Sequence, residues 1–351
     1  MTKEIQEKIF SSTGNLGVSR RQDQRLYVNG THAARDYGEV AGNFNRLVGI
    51  TERKDRLSRA VYRGIVSNEV LESILLGPLR ETVEVALPLD EFDHSDSWLV
   101  YMAKNKPERN ALVPLIQMID QTKNPLQNNS VEEQVAKVFR RGMHVIHEFS
   151  DEHIAQLHEL WGGTFGWSVT EIQALQRRIE KGQIENSEGR SIWFSGILYQ
   201  DQLVSAAMAE RLELPGLLGP VTIVESTEWR TRDEYAGQGL MAATIAMLNT
   251  QILADLEYSG TQPLIIAECN FLSRSDRAGI KSGFRIPERD IKGMTVSQIL
   301  EQNVLVSDGH VLPKGKLRDF TFMYVPNTVI EAHYSPDIQL SLLSCLKSVY
   351  V

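Results

Sequence analysis

The stretch from residue 221 to residue 287 constrains the fold of this chain most, because several strong elements follow one another there. Val221–Arg230 predicts a strand, and the tight turn Ala236-Gly237-Gln238-Gly239-Leu240-Met241 comes after it. Residues 239–257 carry apolar side chains at helical spacing, and residues 263–269 form a strongly apolar strand. A short helix closed by Gly283-Phe284 ends the stretch. This order of elements indicates an α/β (α+β) fold.

The same alternation of helices and strands continues on both sides of this stretch. From Met143 the pattern predicts a strand, two helices, three antiparallel strands, a helix, a strand, a helix and a strand. Residues 67–121 also alternate helix and strand, and the turn-rich segment 122–130 is the best candidate for a linker. We therefore predict an N-terminal α/β domain at 1–129, a second domain at 130–330 and a tail helix at 331–351.

Charge and cysteine content narrow the possible partners. The 351 residues carry a net charge of -8, which argues against nucleic acid and anionic membranes as partners. The polar and basic first sixty residues are accordingly interpreted as a solvated surface. Cys269 and Cys345 lack the number and spacing of a disulfide framework or a zinc site. With no signal peptide and no apolar run near the ~18 residues of a spanning helix, we expect a cytoplasmic protein without a metal.

The glycine turn and the strand after the long helix resemble the GNAT superfamily of acyl-CoA-dependent N-acyltransferases, over the C-terminal half only. In that family, backbone N–H groups at the start of a helix hold the pyrophosphate of coenzyme A. Gly237 and Gly239 match its signature, whereas Ala236 replaces the usual arginine or glutamine and Met241 replaces a small residue. Asn270 and Gly283-Phe284 match the family farther along. A glycine pair that simply starts a helix is the alternative for the turn alone.

The resemblance implies a mixed, mostly antiparallel sheet flanked by helices, with acetyl-CoA or another acyl-CoA as co-substrate. The pantetheine arm of the cofactor would pair with the first strand as an added strand does. The residues implied in cofactor binding are Trp229, Arg230, Thr231, Ala236, Gly237, Gln238, Gly239, Leu240, Met241, Asn270 and Arg277. Arg274, Arg277 and Lys281 could meet the 3′-phosphate, or could form a solvated helix face.

The catalytic residues are open. The family often places a tyrosine acid four residues before the glycine of Gly-Phe, where this chain has Gly279. Candidates that could replace it are Ser273, Ser275 and Asn270 with a water, and the thiolate could also leave unassisted. Glu225 and Glu228 lie beside the expected thioester, and either could accept the amine proton. Surface carboxylates are the equal alternative for both.

Other residues that could carry chemistry have simpler interpretations. Cys269 is interpreted as a buried structural cysteine rather than a nucleophile. His144 and His147 are interpreted as structural or surface groups rather than metal ligands. The aromatic residues Trp161, Phe165 and Trp167 are expected to pack in the core, with an apolar acceptor pocket as the alternative.

These observations lead to one main hypothesis and two alternatives. We predict an enzyme that transfers an acetyl or other acyl group from acyl-CoA directly to a primary amine of a small molecule or peptide. A non-catalytic GNAT-fold sensor or interaction module is the first alternative, and acyl transfer from a carrier protein is the second. The role of the N-terminal domain is open, including a degenerate copy of the same fold, and so is a homodimer formed through the tail helix.

Overall fold

The computed structural model describes most of the chain. The described residues are 17–20, 25–30, 33–52, 59–103, 130–165, 192–258, 260–270, 274–285, 307–311 and 317–347. They form two β-sheets with helices between and around the strands. Residues 17–103 are called the N-terminal unit below, and residues 130–347 the C-terminal unit.

The N-terminal unit is a small mixed sheet with two described helices. Its strands are β1 (Gly17–Arg20), β2 (Arg25–Asn29), β3 (Arg59–Ser67), β4 (Val83–Pro88) and β5 (Ser97–Ala103), and its helices are α1 (Tyr37–Glu52) and α2 (Asn68–Leu76). The strand order is β1-β2-β3-β5-β4. β2 and β3 are parallel, and the other neighbouring pairs are antiparallel.

The C-terminal unit is a larger sheet of the same mixed kind. Its strands are β6 (His144–Ile146), β7 (Ile192–Tyr199), β8 (Gln202–Pro215), β9 (Pro220–Thr231), β10 (Leu264–Asn270), β11 (Ser307–Val311) and β12 (Leu317–Tyr324). Its helices are α3 (Val131–Phe139), α4 (Asp151–Phe165), α5 (Leu240–Tyr258), α6 (Arg274–Lys281), α7 (Asn327–His333) and α8 (Pro336–Lys347). The strand order is β6-β7-β8-β9-β10-β12-β11, and β9 and β10 are its parallel pair.

Helix α5 lies at the centre of the C-terminal unit. It packs on β7, β8 and β9 on one side and is covered by α3, α6 and α8 on the other. The sequence predicts one apolar stripe, but polar positions such as Thr244, Asn249 and Thr250 are buried as well. A helix that is apolar nearly all round is a core helix. The end of β9 and the glycine turn, which come before α5 in the chain, are therefore anchored to a core helix.

The two sheets pack face to face. One apolar cluster combines Val61, Ile65 and Tyr101 of the N-terminal unit with Ile223 and Phe322 of the C-terminal unit. The Tyr101 and Phe322 rings meet edge to face with their centroids 5.5 Å apart. Helix α4 covers a neighbouring part of the same face of the C-terminal sheet, whereas α5 covers the opposite face.

Most of the predicted elements of the C-terminal unit are confirmed. The predicted strands 221–230 and 263–269 correspond to β9 and β10, and the hydroxyl of Ser130 accepts a hydrogen bond from the Glu133 N–H at 3.1 Å at the start of α3. No sequence pattern predicts β11 or α7. The predicted second helix at 168–182 lies outside the described residues, as does nearly all of the candidate linker 122–130.

The side chains of the basic residues that are interpreted as a solvated surface lie outside the described ones, but apolar residues of the same segment lie in the core. Val28, Val40, Phe44 and Leu47 are buried in the core. The last three are spaced as one face of helix α1, and that spacing decides burial more strongly than the scattered charges between them.

The tail packs on the C-terminal unit. Tyr334 is fully buried, and its hydroxyl donates to the carbonyl of Ser282 and accepts from the Asn249 amide at 3.3 Å. Val329 and Leu342 join the core cluster around α5. Helices α7 and α8 therefore complete the C-terminal unit.

Candidate functional site

A cleft opens between β9 and β10. The two strands pair only from Leu264 to Ile266, opposite Ile223 to Glu225. Beyond these residues β9 continues beside β8 to Thr231, and β10 continues beside β12 to Asn270. Residues 226–231 of β9 thus have no described strand neighbour on the β10 side. Such an open edge can accept an extended group as an added strand.

The glycine turn, residues 236–241, follows the open edge directly. Gly237 and Gly239 have φ values of 81° and 82°, and a Cβ atom at either would meet nothing within 4 Å. Left-handed backbone of this kind favours glycine. Among the described residues, the N–H groups of Gly237 to Met241 donate no hydrogen bond, and α5 begins at Leu240. Free N–H groups at a helix start, together with the helix dipole, form a site suited to an anion such as phosphate.

Three hydroxyl groups, two of them fully buried, fix the turn relative to the open strand. Thr231 at the end of β9 lies 3.0 Å from the hydroxyl of Ser205 on β8. The hydroxyl of Thr244 on α5 donates to the Ser205 hydroxyl at 2.8 Å. The same Thr244 oxygen lies 2.9 Å from the Leu240 carbonyl oxygen. Two hydrogen bonds therefore tie the end of β9 to the first turn of α5.

Arg141 is a residue of the site that sequence reasoning missed. Its guanidinium donates to the Gln238 carbonyl at 3.1 Å and to the side-chain oxygen of the same residue at 3.4 Å. These two residues are 97 positions apart, so no local motif signals the contact. The arginine brings a positive charge to the turn, in which position 236 carries alanine.

The Trp229 ring packs directly against Gly279. The Trp229 ring is buried, donates its N–H to the Ser226 hydroxyl at 2.9 Å and meets the Phe284 ring edge to face at 5.4 Å. A Cβ at Gly279 would lie 3.1 Å from this ring. Glycine at position 279 therefore makes room for the tryptophan, and the site of the family's tyrosine acid is occupied by core packing.

Glu225 lies where the parallel pairing ends, and it faces the N-terminal unit. It is 8% exposed, and one carboxylate oxygen lies 3.2 Å from the guanidinium of Arg63 on β3. The interpretation of Glu225 as a surface carboxylate is therefore wrong. This carboxylate oxygen is therefore held in a buried ion pair that joins β9 to β3.

Glu228 has a different setting, in a β-bulge. Thr227 is opposite Met208 and Arg230 is opposite Ala206, so that Glu228 and Trp229 together face a single residue of β8. Glu228 has a φ of 57° and is partly exposed. Because a bulge re-aims side chains, simple alternation does not describe Glu225 and Glu228. Glu228 is the carboxylate of the pair that solvent reaches more readily.

The remaining predicted site residues are only partly brought together. Arg230 is paired with Asp233 at 2.9 Å, and Ser275 is partly exposed on α6. Arg277 and Lys281 are exposed on the same helix. Ser273 lies outside the described residues, as do the side chains of Asn270 and Arg274.

Several other polar and aromatic residues lie away from the cleft or in the core. Cys269 is 4% exposed, as the structural interpretation requires, and Trp161 is fully buried beside Phe194. Burial lowers the pKa of His147, although the carbonyl of Phe194 and nearby Asp255 oppose this effect. Phe165 has no described side chain, and Trp167 lies outside the described residues.

The described part of the chain contains neither a metal-binding group of side chains nor a helix that could span a membrane. No group of three or more His, Cys, Asp or Glu residues could hold a metal ion there. Among the described helices, none combines the length and hydrophobicity that crossing a membrane requires.

The described elements from β6 to β10 follow the order that the GNAT resemblance implies, including the splayed parallel pair, while the second helix after β6 lies outside the described residues and β11 is an additional strand. The C-terminal unit has a GNAT-like fold. No protein-family model matches the chain, and no curated protein matches it in sequence. Solved structures of acetyltransferases do match it.

Three of these structures illustrate how distant the likeness is. An acetyltransferase of Trypanosoma brucei is 19% identical, with 42% of this chain and 96% of that chain covered and a TM-score of 0.31. A protein of Desulfovibrio desulfuricans assigned to the GNAT family is 11% identical, with coverages of 52% and 98% and a TM-score of 0.32. The PaiA N-acetyltransferase of Thermoplasma acidophilum, in complex with coenzyme A, is 14% identical, with coverages of 52% and 98% and a TM-score of 0.28.

Proposed function

We propose that this protein is an N-acyltransferase that transfers an acetyl or other acyl group from acyl-CoA to a primary amine. The observation that carries the proposal is the direct succession of two features. The open edge of β9 at residues 226–231 leads within one short turn to the free N–H groups of Gly237 to Met241. An extended arm with a phosphate-bearing end fits such a succession, because the first feature binds backbone and the second binds anions.

The described residues suit the parts of an acyl-CoA. The N–H groups of Gly237 to Met241 would hold the pyrophosphate, and Arg141 beside Gln238 would add a positive charge. Residues 226–231 would pair with the pantetheine arm. Exposed Arg277 and Lys281 on α6 are candidates for the 3′-phosphate. The acyl group supplied by the bound acyl-CoA would then lie near the apex of the cleft.

The transfer itself requires two proton movements. The amine nitrogen forms a bond to the acyl carbon, the carbon–sulfur bond breaks, the nitrogen loses a proton and the thiolate gains one. Glu228 is the better candidate to receive the amine proton, since Glu225 is held in an ion pair with Arg63. Gly279 leaves no tyrosine to protonate the sulfur, so departure of the thiolate with a proton from solvent is proposed.

The test is an acyl-transfer assay on the full chain. Acetyl-CoA and longer acyl-CoAs are offered with polyamines, amino acids and peptides, and the release of free thiol is followed. We expect turnover with at least one amine and loss of turnover in Gly239→Val, whose β-branched side chain is disfavoured at a φ of 82°.

Gly260→Val is the matched control for this assay. Gly260 has a φ of 69°, and a Cβ there also meets nothing within 4 Å, but it lies beyond the C-terminal end of α5. Both variants strain the backbone similarly, and only Gly239→Val should lose turnover. Equal turnover by the two variants, or none in the parent protein with every donor and amine, would contradict the proposal.

A non-catalytic acyl-CoA sensor is the second candidate. The packing of Gly279 under Trp229 favours it, because this contact removes the usual acid of the family. A sensor would bind acyl-CoA at the glycine turn without releasing thiol in the presence of any amine. Binding without turnover would therefore select this candidate.

A further inference from the structure

The two units share one strand topology. The strand order of the N-terminal sheet, β1-β2-β3-β5-β4, corresponds strand by strand to the order β8-β9-β10-β12-β11 in the C-terminal sheet. Each pair of neighbours is parallel or antiparallel in the same way in both sheets. In both, a long helix joins the parallel strands, as α1 and α5 do, and a short helix follows the second of them, as α2 and α6 do. The turns after these short helices also agree, because Gly77 N–H donates to Ile74 at 3.3 Å and Gly283 N–H donates to Ile280 at 3.2 Å.

The equivalent cleft of the N-terminal unit is closed. β2 pairs with β3 from Arg25 to Asn29, and the chain stays beside β3 after the strand ends. Ala34 N–H donates to the Ile65 carbonyl at 2.9 Å, and Ala34 forms a parallel bridge with Val66. In the C-terminal unit the corresponding strands separate after Ile266.

The helix start is also occupied in the N-terminal unit. The carboxylate of Asp36 accepts the N–H of Gly38 in the first turn of α1. A negative charge at this position satisfies the helix start and repels a phosphate group. The corresponding start of α5 has no such carboxylate, because the chain carries Gly237 and Gly239 there.

We infer that the N-terminal unit is a second copy of the cofactor-binding core whose cleft is sealed, and that it serves as the fixed wall of the acceptor side of the open cleft. The inference rests on the proposed function. Helices α5 and α6 flank the open cleft on one face of the sheet. The amine acceptor would therefore bind on the opposite face, against which the N-terminal unit packs. Each chain then binds one acyl-CoA.

Arg63 of the N-terminal unit contacts the open cleft of the C-terminal unit directly. Its guanidinium donates to Asn29 at 3.0 Å and to Glu225 at 3.2 Å, and it lies 5.8 Å from the centre of the Tyr101 ring. Glu225 stands at the apex of the cleft, where the β9–β10 pairing ends. We therefore assign Arg63 and Glu225 as positioning residues that join the two units.

A double-mutant cycle tests the joining role. Arg63→Met and Glu225→Met are made singly and together, and thermal unfolding of the full chain is measured. Each single variant breaks the buried ion pair and should lower the unfolding midpoint by about 5–15 °C, whereas the double variant should regain at least half of this loss. The exposed pair of Glu133 and Lys137, replaced in the same way, should change little.

Acetyl-CoA titration and steady-state kinetics complete the test. We expect one acetyl-CoA per chain, and in Arg63→Met a raised KM for the amine with little change in the Kd for acetyl-CoA. A merely structural effect would reduce the active fraction and alter neither constant. Two bound acetyl-CoA molecules per chain, or additive losses in the cycle, would overturn the inference. Absence of any acetyl-CoA binding in a chain whose cycle shows coupling would instead refute the proposed function.

Discussion

At the scale of single residues, Glu225 and Glu228 are separated by their surroundings. Glu225 is buried and paired with Arg63, whereas Glu228 is partly exposed in a bulge of β9. The sequence places both beside the cleft, but it shows neither the bulge nor the arginine, because both depend on contacts made by distant segments. We therefore assign Glu225 as a positioning residue and Glu228 as the proposed proton acceptor.

Glutamine variants test this division. Glu228→Gln should lower kcat about 100-fold or more, because it removes the proposed proton acceptor. Glu225→Gln should chiefly lower stability, since it breaks the buried ion pair with Arg63. Steady-state kinetics from pH 6 to 9 and thermal unfolding distinguish the two. If Glu225→Gln lost turnover and Glu228→Gln kept it, the assignment would be reversed.

His147 predicts a pH dependence of stability. Burial lowers its pKa in the folded protein below the value of about 6.5 expected in the unfolded chain. Between these two values the unfolded chain binds more protons, so the free energy of unfolding should fall as pH falls through about 6.5. His147→Gln keeps a hydrogen-bond donor for Phe194 and should reduce this slope in urea unfolding. The exposed His144→Gln is the control and should leave the slope as it is.

At the scale of elements, regular patterns predicted the fold well and irregular features were missed. Period and capping signals locate β9, α5 and β10, because burial of a continuous apolar face fixes each of them. The edge strand β11 carries no such signal. Helix α1 was hidden by charges between its apolar positions, although Val40, Phe44 and Leu47 follow helical spacing. The glycine turn was predictable because its backbone needs glycine at two positions.

The contact between α6 and β9 gives a prediction about packing. Gly279→Ala brings a Cβ to within about 3.1 Å of the Trp229 ring, and we expect it to destabilise the protein by roughly 1–3 kcal/mol. In a Trp229→Phe background the ring is smaller, and the same change should stabilise by up to about 1 kcal/mol, because alanine favours helix over glycine. Chemical unfolding measures both. Equal effects in the two backgrounds would show that the tryptophan does not explain the glycine.

At the scale of the whole molecule, two sheets of related topology are joined in the described part of the chain by an apolar interface and a buried ion pair. The sequence could not show this relation by inspection, since equivalent strands differ in residues and agree only in order and pairing. The likeness of the two units, and the closed cleft in one of them, emerge from register and hydrogen bonds. Among the described strands, the open cleft is that of β9 and β10, and the glycine turn lies at its mouth.

Hydrogen exchange of backbone amides in the full chain, with and without acetyl-CoA, tests the central claim most directly. In the free protein the N–H groups of Gly237 to Met241 lack acceptors and should exchange quickly. On addition of acetyl-CoA we predict slowed exchange at residues 226–231 and 237–241, and no change at Asp36 to Val40 in the N-terminal unit. Unchanged exchange at the glycine turn, or protection at the start of α1 instead, would contradict the account.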